Sequence, residues 1–389
     1  MTSSTTTCIA TCPDALGEVL VRQLQELGAR DVRQGYRMVE FQADKEVLYR
    51  ALLNLPTASR ILQVVREGPA GSPEALFQQA SRVPWDRWLP AGVSYKIDAI
   101  AGDRGPGAMP SSLISKKVRE GLLDWYRHHK IPPPVVDLQE PRLRLSAFVY
   151  GHRVVLSLDL AGKALHKRGY RVRSHPSPLK ETLAAGLLQL AGYTGAENFY
   201  DPFCGSGTLA IEAAYLALSK GCLIHRKKGE FGLEHLRIFD SSLWRRIQDE
   251  TRRQKRGHPP AGLFAADIEG RFVEDARQNA LQARVERHIQ FHQGSFFERA
   301  PPAPTGILVS NLPYGERLDE TMSKELYQEI GNTLKRRYGG WKAALLVAED
   351  SPWKFIGLRP SRRIPVLNGS IRCRLLLFEI YDGSRREKG

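Results

Sequence analysis

The stretch Asp201-Pro202-Phe203-Cys204-Gly205-Ser206-Gly207-Thr208 decides the fold of this chain. It joins an apolar run over residues 198–203, which predicts a buried strand, to a helical pattern over residues 208–218. A glycine-rich turn from a strand into a helix is the place where an open α/β sheet binds its ligand. We therefore expect a sheet of parallel strands with a binding site at this turn.

Strand and helix patterns alternate through the rest of the C-terminal half. Further strands are predicted at residues 263–267, 289–292, 307–310 and 342–348, and helices at residues 179–190, 271–283 and 323–338. This alternation is typical of an α/β domain whose parallel sheet is covered by helices on both faces. A last apolar strand, residues 374–381, follows the turn Asn368-Gly369 and predicts an antiparallel hairpin at an edge of the sheet.

The N-terminal half has a different pattern. Strands are predicted at residues 8–11, 38–41, 94–101, 142–150 and 153–159, and helices at residues 16–27, 45–54 and 111–126. The first 65 residues alternate strand and helix as a small α/β module does. A basic segment that contains prolines follows at residues 162–180, and we place a domain boundary there.

The chain is strongly basic. Its 389 residues include 57 Lys and Arg against 42 Asp and Glu, a net charge of +15, which favours a polyanionic partner such as nucleic acid. The chain has five cysteines, a polar start and no apolar run of about 18 residues, so we expect a cytoplasmic protein without a membrane partner. Cys8 and Cys12 have no second Cys or His pair nearby, and we predict no metal site.

A second motif, Asn311-Leu312-Pro313-Tyr314-Gly315, follows the apolar run over residues 306–310. It supplies an amide oxygen, backbone carbonyls and an aromatic ring. This set suits the exocyclic amino group of a nucleobase, because the oxygens can accept its N–H bonds while the ring stacks on the base. Taken alone, the motif is equally consistent with an ordinary turn at the end of a strand.

Two kinds of ligand suit the glycine turn. The spacing Gly205-x-Gly207-x-x-Ala210 fits a dinucleotide-binding fingerprint. Asp201, however, precedes the glycines, where a carboxylate would repel a pyrophosphate but attract the ammonium group of S-adenosylmethionine. Since Asp201, the glycines, Asp267 and the Asn311 motif all fall at the ends of predicted strands, we favour S-adenosylmethionine over a dinucleotide and over a purely structural turn.

The basic segment also carries aromatic side chains. Cations alternating with aromatic rings suit phosphate contacts and base stacking, so we predict RNA contact, with solvated surface charge as the alternative. The residues predicted to contact RNA are Lys163, Lys167, Arg168, Tyr170 and Arg171. An Arg-rich helix predicted at residues 242–256 is equally consistent with an RNA-facing surface and with a solvated helix.

These motifs, together with Leu165-His166-Lys167-Arg168-Gly169-Tyr170-Arg171 and the run from Pro178 to Ala185, resemble a known family. It is the class I S-adenosylmethionine-dependent RNA methyltransferases with an N-terminal THUMP domain, close to the bacterial 23S rRNA guanine-N2 methyltransferases. The resemblance implies four segments: a ferredoxin-like module (1–65), a THUMP domain that grips RNA (66–162), a basic linker (163–180) and a Rossmann-like methyltransferase domain (181–389).

The same resemblance implies roles for individual residues. Those expected to contact the donor are Thr182, Asp201, Phe203, Gly205, Gly207, Thr208, Asp267, Ser295 and Asn311. Asp267 would hold the ribose hydroxyls, whereas Ser295 stands where the family usually has an Asp that contacts the adenine. The residues expected to hold and orient the target base are Asn311, Leu312, Pro313 and Tyr314.

The resulting hypothesis is methyl transfer to the exocyclic N2 of a guanine in large-subunit rRNA. Guanine-N2 methylation of tRNA and adenine-N6 methylation of RNA or DNA remain alternatives, the second because related Asn/Asp-Pro-Pro-Tyr turns serve it. A non-catalytic RNA-binding assembly factor that kept the fold is a third alternative. The sequence contains no indication of the oligomeric state.

Overall fold

The computed structural model describes residues 5–102, 109–173, 179–223, 225–313 and 320–381, and only the backbone of residues 320–323. The chain divides into two compact units. The first consists of Met1–Thr11, Val21–Leu165 and Arg226–Asp249, and the second of Cys12–Leu20, His166–His225 and Glu250–Gly389.

The first unit is built on an eight-stranded sheet. Its strands are β1 (Thr6–Thr11), β2 (Arg30–Gly35), β3 (Met38–Ala43), β4 (Arg60–Pro69), β5 (Ser94–Ala101), β6 (Val135–Val136), β7 (Leu143–Tyr150) and β8 (Arg153–Asp159). They lie in the order β2-β3-β1-β4-β8-β7-β5-β6. The helices of this part of the chain are α1 (Gly17–Glu26), α2 (Lys45–Asn54), α3 (Pro73–Ser81) and α4 (Ser111–His128).

β4 joins the two halves of this sheet. Its first residues pair with β1, from Arg60 to Gln63, and the stretch from Leu62 to Pro69 pairs with β8 across a bulge. The boundary expected between residues 65 and 66 therefore lies inside a continuous strand.

The second unit contains a seven-stranded sheet. Its strands are β9 (Phe199–Asp201), β10 (Leu263–Asp267), β11 (Gln290–Gln293), β12 (Ile307–Asn311), β13 (Lys342–Ala348), β14 (Arg362–Asn368) and β15 (Ile371–Glu379). They lie in the order β11-β10-β9-β12-β13-β15-β14, in which the first five are parallel and β15 runs antiparallel to both neighbours. The predicted parallel sheet and the hairpin at its edge are confirmed.

The remaining helices are α5 (Glu181–Leu190), α6 (Thr208–Ala217), α7 (Ser241–Gln254), α8 (Gly270–Gln282) and α9 (Glu320–Arg337). One large apolar core of the second unit combines side chains of α9, such as Ile330, with Tyr200 and Leu308 of the sheet and with Tyr338 and Trp341 from the connection between α9 and β13. Because β9 lies between β10 and β12, the chain changes direction across the sheet at β9, and in such sheets ligands bind beyond the carboxyl ends of the strands at this point. Within the described residues, no helix has the length and apolar character needed to span a membrane.

Candidate active site

Three polar residues end three neighbouring strands of the second sheet. Asp201 ends β9, Asp267 ends β10 and Asn311 ends β12. Since β9 is parallel to both of its neighbours, these three ends lie along one edge of the sheet. The expected grouping of the two acids with the Asn motif is therefore present in the structure.

Asp201 is almost fully buried, with 1% of its surface exposed. Its Oδ1 accepts a 2.6 Å hydrogen bond from the hydroxyl of Ser310 and a 3.3 Å bond from the backbone N–H of Phe203. Burial raises the pKa of Asp201 to about 7, and the nearby carboxylate of Asp267 adds to the rise. A cationic group beside Asp201 would favour the ionised carboxylate.

The glycine turn is held against Asp267. The backbone N–H of Gly205 donates a 3.0 Å hydrogen bond to Oδ2 of Asp267, whose Oδ1 accepts from the N–H of Glu269. Gly205 and Gly207 both have positive φ, 51° and 80°, a region that favours glycine. A Cβ at Gly207 would lie 2.9 Å from that of Ala276, whereas one at Gly205 would meet nothing within 4 Å. Gly207 therefore lets the turn pack closely against α8, whereas the backbone at Gly205 is open.

Two buried oxygen atoms near these strand ends have no hydrogen-bond partner. They are Oγ1 of Thr182, in the first turn of α5, and Oδ1 of Asn311. A buried acceptor or hydroxyl left without a partner costs about 1–3 kcal/mol, so such groups usually meet a ligand or water. Both residues were expected to contact the donor, and these atoms fit a polar ligand at the site.

Arg171 ties the predicted basic segment to the glycine turn. Its guanidinium donates to Oε1 of Glu181, to the hydroxyls of Ser206 and Thr208, and to the carbonyl of Leu179, at 3.0–3.2 Å. These bonds occupy the side chain inside the second unit. The prediction that Arg171 contacts RNA phosphate is therefore corrected: its donors hold the turn and the start of α5.

Arg168 and Tyr170 are also inside the protein. Both bond to the carboxylate of Glu212 in α6, and the side chains of Arg168 and Glu212 are 0% and 1% exposed. RNA cannot reach side chains buried in this way, so the predicted RNA contacts of Arg168 and Tyr170 are corrected as well. Lys163 and Lys167 are exposed, with Lys163 paired to Glu230.

Asn279 was not anticipated from the sequence. It is fully buried in α8, where its side chain accepts from the N–H groups of Val172 and Arg173 and donates to the carbonyls of Arg173 and Ser206. Its burial could have been predicted, because Asn279 lies three positions after Ala276 and so falls on the apolar face of the helix. Ser310, the hydroxyl donor to Asp201, gave no signal beyond its place at the end of a strand.

The other predicted residues lie around the same edge. The half-buried Phe203 packs against Phe296, with ring centroids 5.5 Å apart. The hydroxyl of Ser295 accepts a 3.2 Å hydrogen bond from the backbone N–H of Phe297 in a local turn. Leu312 is buried and its N–H bonds to the carbonyl of Leu346, Pro313 is half-buried, and Tyr314 lies outside the described residues.

No metal centre is formed by the described part of the chain, since it has no group of three or more His, Cys, Asp or Glu side chains that could hold an ion. Cys8, Cys12, Cys204, Cys222 and Cys373 are buried. The polar groups at the edge of the second sheet are the carboxylates of Asp201 and Asp267, the amide of Asn311, hydroxyls and backbone groups.

Comparison with known proteins identifies the family. A model of the RMKL-like methyltransferase domain matches residues 168–376, which include the glycine turn, Asp267 and Asn311. The chain belongs to the RMKL-like methyltransferase family. Models of the RlmL ferredoxin-like domain and the THUMP domain match residues 7–62 and 70–159. The family resemblance and the fold class inferred from the sequence are thus confirmed.

Individual relatives extend over nearly the whole of this RMKL-like methyltransferase. A Synechocystis sp. protein whose name assigns it to the RNA methyltransferases is 32% identical over 96% of both chains. The ribosomal RNA large subunit methyltransferase K/L of Shewanella frigidimarina is 32% identical over 97% of this chain and 53% of its own length. The chain therefore spans about half the length of the K/L relatives.

The crystal structure of SMU.472 complexed with SAH covers 98% of this chain and 99% of its own, with a TM-score of 0.87 and 26% identity. The prediction that S-adenosylmethionine is the methyl donor, rather than a dinucleotide, is confirmed.

Proposed function

We propose that this RMKL-like methyltransferase transfers a methyl group from S-adenosylmethionine to the exocyclic N2 of a guanine in large-subunit rRNA, in the cytoplasm. The observation that carries this proposal is the buried, unpartnered Oδ1 of Asn311 at the end of β12, beside the strand that ends in Asp201. An acceptor in that position suits an N–H of an amino group brought to the donor.

The donor pocket is assigned to residues of the glycine turn and its neighbours. S-adenosylmethionine supplies an electrophilic methyl group when bound. The carboxylate of Asp201 attracts the donor's ammonium group, the open backbone at Gly205 lies against the ligand, and Asp267 holds the ribose hydroxyls. Thr182 offers its free hydroxyl. The assigned set is completed by Phe203, Gly207, Thr208, Ser295 and Asn311, of which Gly207 and Thr208 shape the turn and Asn311 acts chiefly on the acceptor base.

The acceptor base is assigned to the Asn311 motif. Asn311 accepts one amino N–H, a backbone carbonyl of Leu312 or Pro313 accepts the other, and Tyr314 stacks on a base turned out of its helix. The amino nitrogen forms the new N–C bond as the S–C bond to the methyl group breaks, which leaves S-adenosylhomocysteine, and the nitrogen afterwards loses a proton to water. Since the methylated nitrogen is acidic, no strong general base is required, and alignment provides the catalysis.

RNA is the proposed partner for three reasons. A THUMP domain model matches residues 70–159, the net charge is +15, and relatives of the same length and of twice the length are named for RNA or rRNA methylation. We assign the ferredoxin-like and THUMP segments to RNA binding, with Lys163 and Lys167 as candidate phosphate contacts, and residues 181–389 to methyl transfer. The segment 163–180 connects them.

Adenine is the rival base, because its N6 amino group would meet the same acceptors. Leu312 in place of the first Pro of the adenine-type turn, together with the family resemblance, favours guanine. The test is to methylate deproteinised rRNA and tRNA in vitro and to identify the modified nucleosides by mass spectrometry. N2-methylguanosine in large-subunit rRNA is expected, and N6-methyladenosine as the sole product would overturn the choice of base.

A further inference from the structure

A basic cavity of about 160 Å³ lies in the second unit, formed by residues that have no part in the methyl-transfer site. Its lining comes from three places: the residues after α6, the end of α7 and the turn after α8. The lining residues are Lys220, Gly221, His225, Thr251, Arg252, Lys255 and Arg284. A single water requires only about 10–15 Å³ of such space, so the cavity has room for a larger polar group.

The charged side chains described as lining this cavity are all basic. Four of its lining residues are Lys or Arg, and no Asp or Glu is among those described as lining it. Lys220 is the most buried of the four, with 7% of its surface exposed. Burial, with the nearby charges of Lys255 and Arg284, lowers the pKa of Lys220 to about 7. The cations thus lie close enough to disfavour one another.

The contacts of Lys220 leave its charge without a carboxylate. Its Nζ donates to the carbonyl oxygen of Ala283 and lies 4.7 Å from the ring centroid of Tyr215. Capping the end of α8 in this way explains why a lysine stands at this position. It does not explain why Lys255 and Arg284 face the same space, since neither is needed for that bond.

An anion in the cavity would offset both the burial of the Lys220 charge and the repulsion among the neighbouring cations. Buried charges are ordinarily paired, and several cations around one concave space form the usual arrangement for binding oxyanions. Arg284 is exposed where it lines the cavity, and Gly221 contributes no side chain to the lining. Burial together with the neighbouring cations lowers the pKa of His225 to about 4, so this ring is neutral at pH 7 and can bond to an oxyanion without adding charge.

We propose that this cavity is an oxyanion site that receives a phosphate group of the RNA backbone. The assignment to phosphate chemistry depends on the cavity alone, whereas the RNA source depends on the proposed function. Bound there, one phosphate would anchor the substrate RNA at a place separate from the base-binding motif.

The first experiment uses inorganic phosphate and the full chain. Titration calorimetry at pH 7.5 should give saturable heat with the wild type, and Lys255→Gln combined with Arg284→Gln should weaken phosphate at least about tenfold, as expected for two charge-assisted bonds. Lys220 is kept, because it caps α8. The matched control is Arg253→Gln, an exposed cation of α7 outside the cavity, which should change phosphate affinity less than about twofold.

The second experiment measures the binding of a large-subunit rRNA fragment as a function of salt. The double variant should lower the slope of log K against log salt by about 0.7–0.9, the value of one phosphate contact, and Arg253→Gln should leave it near wild type. S-adenosylhomocysteine binding equal to that of the wild type shows that the variant is folded.

The outcomes separate the possible explanations. Phosphate binding that is lost in the double variant while the RNA slope is unchanged would overturn the RNA source and assign the site to a free oxyanion. Wild-type phosphate affinity in a folded double variant would overturn the site itself. If the wild type bound phosphate but no RNA, the proposed function would fail while the oxyanion site stood.

Discussion

The hydroxyl of Ser310 donates a 2.6 Å hydrogen bond to Oδ1 of Asp201, across two neighbouring strands of the second sheet. This bond fixes the carboxylate at the end of β9 and favours its ionised form, which opposes the effect of burial. Because burial outweighs the bond, the group titrates near pH 7.

Donor binding should depend on pH through Asp201. Below pH 7 the ligand-free protein holds this group protonated, so binding an ammonium group must first remove the proton. Affinity for S-adenosylhomocysteine, measured by calorimetry, should therefore fall by up to about tenfold per unit between pH 7 and pH 5.5. Asp201→Asn should bind weakly and lose this dependence. An affinity of the wild type that stays constant over this range would contradict the assignment.

The stability of the donor-free protein should depend on pH in the opposite direction to donor affinity. The pKa of Asp201 is raised from 3.8 to about 7, so between these values the folded state binds more protons than the unfolded state, and stability falls as pH rises. Asp201→Asn should thus be more stable than wild type at pH 8, by at most about 4 kcal/mol in urea unfolding. Ser310→Ala removes the opposing hydrogen bond and should move the midpoint of the pH profile upward. An Asn variant less stable than wild type at pH 8 would argue against a strained carboxylate.

Asn311→Ala should nearly abolish turnover and spare donor affinity. Loss of one positioning hydrogen bond in a preorganised site costs roughly 2–4 kcal/mol in the barrier. Single-turnover rates and the Kd of S-adenosylhomocysteine, measured on the same preparation, provide the test. Asn311→Asp keeps an acceptor oxygen and should retain more activity than the Ala variant. Weakened donor binding with unchanged turnover would contradict the assignment of Asn311 to the acceptor base.

Asp267→Asn should weaken S-adenosylmethionine and S-adenosylhomocysteine alike, because both carry the ribose. A charge-assisted hydrogen bond is worth about 1.5–3 kcal/mol, and the Asn side chain can still accept the bond from Gly205. Calorimetry with both ligands measures the loss. A selective effect on one of the two would show that Asp267 contacts the sulfur end of the donor.

Glu212→Ala should destabilise the protein severely, although Glu212 is not among the residues assigned to the donor pocket. It would leave the guanidinium of Arg168 buried without its carboxylate partner, and such losses cost about 3–5 kcal/mol. The matched control is Glu67→Ala, which breaks the exposed pair with Arg153 and should cost less than about 1 kcal/mol. Equal losses of unfolding free energy in the two variants would contradict the structural role of the buried pair.

The sequence was most informative where one local pattern decides the structure. Apolar runs ending in Asp267 and Asn311 predicted their strands and their place at one edge, since parallel strands bring their carboxyl ends together. Helix α2, between Asp44 as its N-cap and Leu55, was also predicted with the bounds observed. Strand β2 was missed, because its side chains are mostly exposed and polar and so carry no apolar alternation.

The contacts of individual side chains could not be predicted from local sequence patterns in the same way. Arg168 and Arg171 stand in a basic, aromatic-bearing segment of the type that contacts phosphate, but their partners, Glu212 and Glu181 with the glycine turn, come from later helices. A cation is recognised as buried only when the carboxylate that neutralises it is known to be near. That pairing depends on tertiary packing and leaves no local periodicity.

The pairing of strand β4 limits where a chimera of this protein with a relative can be joined. Its two ends are hydrogen-bonded to strands of different modules, β1 on one side and β8 on the other. A chimera that took one module from a relative, with its crossover inside β4, would splice two registers across a bulge and expose unpaired strand edges, which promote aggregation. Viable exchanges should therefore move the whole eight-stranded sheet as one piece.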